Sequence, residues 1–200
     1  SIVVGGTATG NITYNRYVNY QAYQEWDLVG SPVLNQNMET FARTNTTVND
    51  AYNQPNGAMA MSGDYYALGQ YLTQWGSYSN YTTGNIPNAN FPAGKGYQMG
   101  TNPVGSESPF SGQTLAFTGE IATTSQSIDV QNQNGTNNGY GRRWNLVANP
   151  YPSYISAQAF FNANSSVMGG AYTYCYVWRT GDETSSNDDN GEFGKWGIYN

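Results

Sequence analysis

The chain predicts an all-β fold: a β-sandwich or jelly-roll-like pair of sheets, built from two related halves with short helical turns. Three observations predict it. Period-two alternation of β-branched and aromatic residues recurs along the chain. Turn signals recur at short intervals, and no long amphipathic helical pattern appears. One phrase is also written twice, as Trp26-Asp-Leu-Val-Gly-Ser-Pro-Val33 and Trp144-Asn-Leu-Val-Ala-Asn-Pro-Tyr151. An internal repeat constrains the architecture more than any single motif. Its frame is Trp26, Leu28, Val29 and Pro32 in the first copy, and Trp144, Leu146, Val147 and Pro150 in the second.

The elements follow in order. Asn11 to Tyr20 alternates as a strand, with Ile12, Tyr14 and Arg16 on one face and Thr13, Asn15 and Tyr17 on the other. Trp26 to Gly30 is a second strand, stopped at Ser31-Pro32 because proline cannot donate to a ladder. Met38 to Arg43 reads as one short helical turn, and Asn45 to Asn56 as a polar, turn-rich stretch. Tyr65 to Trp75 fits strand alternation, and a short helix is the alternative, since Leu68, Tyr71, Leu72 and Trp75 also fit spacings of three and four. A loop from Ser77 to Pro92 leads to a strand at Gly94 to Met99, entered through a glycine corner.

A Pro/Gly/Ser-rich connection at 101–112 divides the halves, 1–104 and 105–200. One compact domain is the alternative division. In the second half, strands are predicted at Gln113 to Thr118, with Leu115 and Phe117 on one face, and at Ser127 to Gln131. A polar hairpin-like loop spans Asn132 to Gly141. The second-copy strand covers Trp144 to Val147, a helical turn covers Ser156 to Phe161, and strands cover Ala171 to Arg179 and Phe193 to Ile198. Only the first half shows a Gly-Lys-Gly-Tyr strand. Regular strand spacing would place its counterpart about 15–20 residues past Asn200, so the chain reads as a segment of a longer protein.

Composition narrows the function classes. Net charge is -6 and only 7 residues are Lys or Arg, which argues against nucleic acid and against anionic membrane surfaces. Charged residues are 10% of the chain, against about 25% in an average soluble domain. Solubility rests on Asn, Gln, Ser, Thr and Gly, as on secreted and cell-surface β proteins. No apolar run reaches the roughly 18 residues of a membrane-spanning helix, and no signal-peptide pattern stands at Ser1. The expected location is extracellular or on a bacterial cell surface.

Several motifs resemble a family of proteins exported by Bacteroidota bacteria. They are Arg16-Tyr17, Trp26 to Pro32, Gly94-Lys-Gly-Tyr97, Thr114-Leu-Ala-Phe-Thr-Gly119 and Trp144 to Ser153, where Ala148 replaces the usual glycine. They stand in family order over roughly residues 11 to 200. The resemblance implies export by type IX secretion machinery, normally with a separate C-terminal sorting domain that is not evident here. It also implies display or release in large adhesin-like or gliding-motility-associated proteins. It leaves biochemical activity undefined.

Catalytic patterns are weak. The chain has no His, so neither a Ser-His-Asp triad nor an imidazole zinc site is available. A glycosidase needs two carboxylates about 5–10 Å apart. Glu25, Asp27, Asp64, Glu120 and Asp129 are present, but no motif pairs them. Asp27 and Asn145 share a repeat position, which marks Asp27 as positional. Gly94-Lys95-Gly96 lacks the phosphate-loop frame, and its glycines suit a corner or bulge. Cys175, the single cysteine, reads as an inert buried thiol.

Two ligand readings stand beside structural ones. Asp182, Asp188, Asp189 and Glu192 lie in an acidic loop that either is solvated or supplies oxygens to calcium. Trp75, Tyr78 and Tyr81, placed at a strand end and in a loop, either pack or stack on sugars. Trp26 and Trp144 belong to the core on this reading. The chain is therefore expected to be a secreted or cell-surface structural or adhesive module without catalysis. A carbohydrate-binding module, calcium-stabilised, is the alternative, and a glycoside hydrolase fragment is a weaker one. Expected partners are glycans or other surface proteins, and open strand edges allow self-association.

Overall fold

A computed structural model describes residues 6–20, 26–46, 57–104, 111–131, 144–167, 175–180 and 194–199. The fold is all-β and sandwich-like, with two short helices. Strand β1 (Asn11–Val18) pairs antiparallel with β7 (Gln113–Glu120) in one two-stranded ribbon. A five-stranded antiparallel sheet runs in the order β2 (Asp27–Gly30), β6 (Gly96–Met99), β4 (Tyr65–Leu72), β3 (Met61–Ser62), and β5 (Ser77–Thr82) also pairs with β4. Strands β8 (Cys175–Thr180) and β9 (Gly194–Tyr199) form a separate antiparallel pair. Helices α1 (Met38–Asn45) and α2 (Ala157–Asn164) complete the fold.

The core lies where the ribbon, α1 and the five-stranded sheet meet. Alternation delivers it: Leu115 and Phe117 of β7 are fully buried, and Ile12 and Tyr14 of β1 pack against the same cluster. Phe41 of α1 stacks on Phe117 with ring centroids 4.4 Å apart and meets Phe91 edge-on at 5.2 Å. Phe91 meets Tyr97 of β6 edge-on at 5.1 Å. These offset and T-shaped pairs let quadrupoles attract while large apolar areas leave water. Every member of the buried cluster lies between Val18 and Phe117.

Each helix starts on a polar cap. The Asn37 side chain accepts the Thr40 N–H at 2.9 Å, and Ser156 Oγ accepts the Ala159 N–H at 3.2 Å. Glu39 and Arg43 form an i,i+4 ion pair at 3.0 Å on the α1 surface.

The edge of β7 that faces away from β1 is closed. Leu34 exchanges both backbone hydrogen bonds with Glu120, at 2.8 and 3.0 Å. The Thr118 N–H donates to Gln36 Oε1 at 2.6 Å, and the Ala116 N–H donates to Asn45 Oδ1 at 3.1 Å. Asn35, at φ 63, turns the chain between the first two of these contacts; asparagine tolerates that conformation better than most residues. Asn45 is itself buried and donates back to Phe41 O at 2.8 Å. Replacing it with alanine strands the Ala116 N–H in the interior. Asn45→Ala is expected to cost about 2 kcal/mol, read as a lower urea midpoint at unchanged slope.

Several expected elements are corrected. The Tyr65 to Trp75 segment is a strand only to Leu72, and a turn follows. The expected loop after Ser77 begins with β5, because Ser77 to Asn80 pair with β4 and Tyr81 packs in the core. Ser127 to Gln131 forms no strand: Asn145 Oδ1 accepts the Gln131 N–H at 2.8 Å and Asn145 Nδ2 donates to Gln131 O at 2.9 Å, so side-chain bonds replace a ladder. Trp144 to Val147 is extended but carries only one bridge, Val147 with Lys95. The Asn132 to Gly141 loop lies outside the described residues.

The two copies of the phrase share local devices. Asp27 accepts the Asn19 N–H at 2.9 Å, and Asn145 accepts that of Gln131, so the same repeat position clamps the preceding segment in both copies. The sixth position holds the residue after proline: Ser31 Oγ accepts the Val33 N–H at 3.4 Å, and Asn149 Oδ1 accepts that of Tyr151 at 3.1 Å. The copies meet at the glycine corner that opens β6. Gly30 pairs with Gly96 in the sheet, while the Gly96 N–H donates to Leu146 O at 3.0 Å and the Ala148 N–H donates to Gly94 O at 2.8 Å. Gly94 takes the left-handed conformation, φ +80, and a Cβ on Gly96 would stand 2.6 Å from Leu146 Cγ. The expected corner is therefore a turn followed by a close crossing.

Candidate functional site

Tyr71 of β4, Tyr78 of β5 and Trp75 of the turn between them gather on one end of the five-stranded sheet. Tyr71 and Tyr78 stand directly opposite each other across the β4–β5 pair. Their rings meet edge-on with centroids 5.1 Å apart, a cross-strand aromatic pair. The chain reverses immediately beyond them, with Trp75 N–H and Gly76 N–H both bonded to Leu72 O at 3.0 and 2.8 Å. That reversal leaves Trp75 at the tip, 72% exposed.

Two residues further along each strand, on the same face, the rings give way to amides. Gly69 lies opposite Asn80 and opposite Gln98 of β6. Gln98 Nε2 donates to Asn80 Oδ1 at 2.6 Å, across the glycine between them. A Cβ at Gly69 would overlap Asn80 Oδ1 and stand 3.0 Å from Gln98 Nε2. The missing side chain is what allows the amide bridge. A ring pair and an amide pair thus adjoin on one surface.

The second copy of the phrase borders this surface. Thr73 Oγ1 donates to the Trp144 carbonyl at 2.8 Å. Trp144 is 50% exposed and meets Tyr176 of β8 edge-on at 4.7 Å. The expectation that Trp144 is core is therefore corrected: its backbone is held by Thr73, but its ring lies at the surface against another exposed ring. Trp26 packs against the core cluster and is partly buried.

The three predicted ligand residues separate. Trp75 and Tyr78 are exposed and close in the chain, on the turn and on the strand that leaves it. Tyr81 is buried and packs in the core, because β5 alternation turns it inward. Burial pushes the Tyr81 phenol up to about 12, and burial with the neighbouring Tyr71 pushes Tyr78 to about 12. Both stay neutral donors at physiological pH. Lys95 donates to Gln70 Oε1 at 2.9 Å and lies 5.5 Å from the Tyr97 ring, and burial lowers its pKa.

Sequence reasoning missed Tyr71, Asn80, Gln98, Trp144 and Tyr176 as members of this surface. Tyr71 and Tyr78 were legible in principle, since they stand one residue outside the Leu72–Ser77 pair that closes the hairpin around Thr73-Gln-Trp-Gly76. Asn80 and Gln98 were not, because their meeting depends on strand order.

Two of the described carboxylates are tied to structure. Asp27 is bonded to the Asn19 backbone and side chain at 2.9 and 3.0 Å, and Glu39 pairs with Arg43. Among the described residues no three His, Cys, Asp or Glu side chains gather as metal ligands. The acidic-loop candidates Asp182, Asp188, Asp189 and Glu192 lie outside the described residues, as does the side chain of Cys175. Among the described residues no helix is long and apolar enough to cross a membrane.

Residues 3–200 match a family model described as a domain of unknown function, DUF8693. No curated protein and no solved structure matches the chain.

Proposed function

We propose that this chain, which belongs to the DUF8693 family, is a non-catalytic structural or adhesive module at a bacterial surface. The observation that carries the reading is the surface formed by the exposed rings of Trp75 and Tyr78 with the half-buried Tyr71 and Asn80, the last fixed by the buried Gln98 amide, on a chain with 10% charged residues. Exposed rings beside fixed amides favour contact with uncharged, hydroxyl-rich or protein surfaces, and not with phosphates. Display at the surface, and export by type IX machinery, rest on the resemblance of the Gly94–Tyr97 and Trp144–Ser153 motifs. Fractionation of the producing bacterium is expected to find the protein on the cell surface or in the medium; confinement to the cytoplasm overturns this part. Turnover of an aryl glycoside that one carboxylate substitution abolishes would overturn the non-catalytic part.

Carbohydrate binding is the second reading, favoured by the Tyr71–Tyr78 ring pair running into the Asn80–Gln98 amide pair. Rings stack on the apolar faces of sugars while amides bond their hydroxyls. The Trp75→Ala variant is expected to lose at least about tenfold in polysaccharide affinity, the equivalent of about 1.4 kcal/mol, with no change in melting temperature. Equal retention of Trp75→Ala and wild type on every polysaccharide tested removes this reading.

A further inference from the structure

We propose that β1 is the self-association edge of this protein, pairing antiparallel with β1 of a second copy about a two-fold axis at Thr13. The starting point is the asymmetry of the β1–β7 ribbon. The outer edge of β7 is closed by Leu34, Gln36 and Asn45. Because the Ala116, Thr118 and Glu120 N–H groups point away from β1, their register partners Asn15, Thr13 and Asn11 sit at non-hydrogen-bonded positions. The N–H and C=O groups of those three residues therefore point away from β7. Among the described residues no hydrogen bond reaches them.

Among the described residues this edge carries few of the usual protections against strand addition. Its register with β7 runs unbroken from Asn11 to Val18, with no bulge. It contains no proline, and Arg16 is its single charge.

Self-pairing suits its side chains. Outward backbone groups must face outward groups, so Thr13 can oppose Thr13 of the second copy, with Asn11 opposite Asn15. On the core side this register sets Ile12 against Tyr14 of the second copy, and Tyr14 against Ile12. Both are only half-buried in the single chain, and β-branched–aromatic cross-strand pairs are favourable. On the other face Thr13 already shares a 3.0 Å hydroxyl bond with Thr118, and the two-fold extends that hydroxyl row into the second copy. Arg16 falls opposite Gly10, so no like charges meet. A shift by one pair in either direction loses this match. In one direction Ile12 meets Arg16; in the other, Tyr14 meets Gly10.

The test uses the full chain and sedimentation across a wide concentration range. Wild type is expected to form dimers as concentration rises. Thr13→Lys places two like charges face to face and is expected to give monomers. Thr118→Lys, on the same face but on the strand whose edge is closed, is expected to dimerise as wild type. A wild type that stays monomeric throughout, or a Thr13→Lys variant that dimerises as well as Thr118→Lys, overturns the proposal. The register is read separately in a Cys175→Ser background under mild oxidant. Thr13→Cys is expected to cross-link to itself, since directly opposed strand residues lie within disulfide reach. Asn11→Cys is expected not to, and equal cross-linking at both positions overturns the register.

Discussion

Phe41→Ala is expected to be the most destabilising single truncation in the protein, at about 3–5 kcal/mol. Phe41 is fully buried and bridges the layers of the core: it stacks on Phe117 of the ribbon and meets Phe91 edge-on, which in turn meets Tyr97 of the sheet. Removing the ring deletes its transfer energy, breaks two aromatic contacts and leaves a void that two other rings cannot fill without losing their own partners. For a chain of this size the loss corresponds to a melting temperature lower by roughly 6–20 °C. Calorimetry checks it. A change below about 1 kcal/mol would mean that α1 does not join the two sheets into one core.

Gly30→Val is expected to cost about 3 kcal/mol, the upper end for overpacking. A Cβ at Gly30 would overlap the Cβ of Ala148 and stand 2.9 Å from the Lys95 carbonyl. Gly30 and Ala148 hold the same position in the two copies of the repeated phrase, so the clash is between the copies themselves. The Ala148→Gly change removes one of the two obstacles. The double variant Gly30→Val with Ala148→Gly is therefore expected to recover about 1 kcal/mol relative to the sum of the single changes. Urea titration of the four proteins closes the cycle. Additive effects would show that the two phrases do not touch at this position.

Much of the fold was legible because β structure writes its faces into alternate residues. Leu115 and Phe117 turn to the core as their spacing predicts, and the Gly94–Gly96 corner turns and admits a crossing segment as its glycines suggest. The short helices at Met38 and Ala157 begin where capping side chains stand. Legibility failed where pairing is non-local. Ser127 to Gln131 alternates like a strand, yet its backbone is satisfied by Asn145, and alternation records only which way side chains point, not what the backbone bonds. Trp144 and Trp26 are followed by Leu, Val and Pro at the same spacings. One ring reaches the core cluster and the other stands at the surface beside Tyr176, because the neighbours supplied by the rest of the chain differ.

The candidate site divides the same way. Trp75 and Tyr78 were visible as aromatics around a turn, and a turn exposes its tip whatever the fold. Tyr81 was misplaced because the segment looked like loop; once β5 pairs with β4, its register sends Tyr81 inward. The amide pair of Asn80 and Gln98 crosses Gly69 only because β5 and β6 flank β4.

By itself, the sequence determined the all-β class, the repeated phrase, the glycine corner before β6 and the low charge, since each follows from residue type and short spacing. Tertiary structure alone decided that the two phrases meet at Gly30 and Ala148, that β7 has its outer edge closed while among the described residues no partner reaches that of β1, and that rings and amides share one face. Those outcomes depend on which distant strands become neighbours, and strand order is set by the packing of the whole chain, which no local pattern of residues encodes.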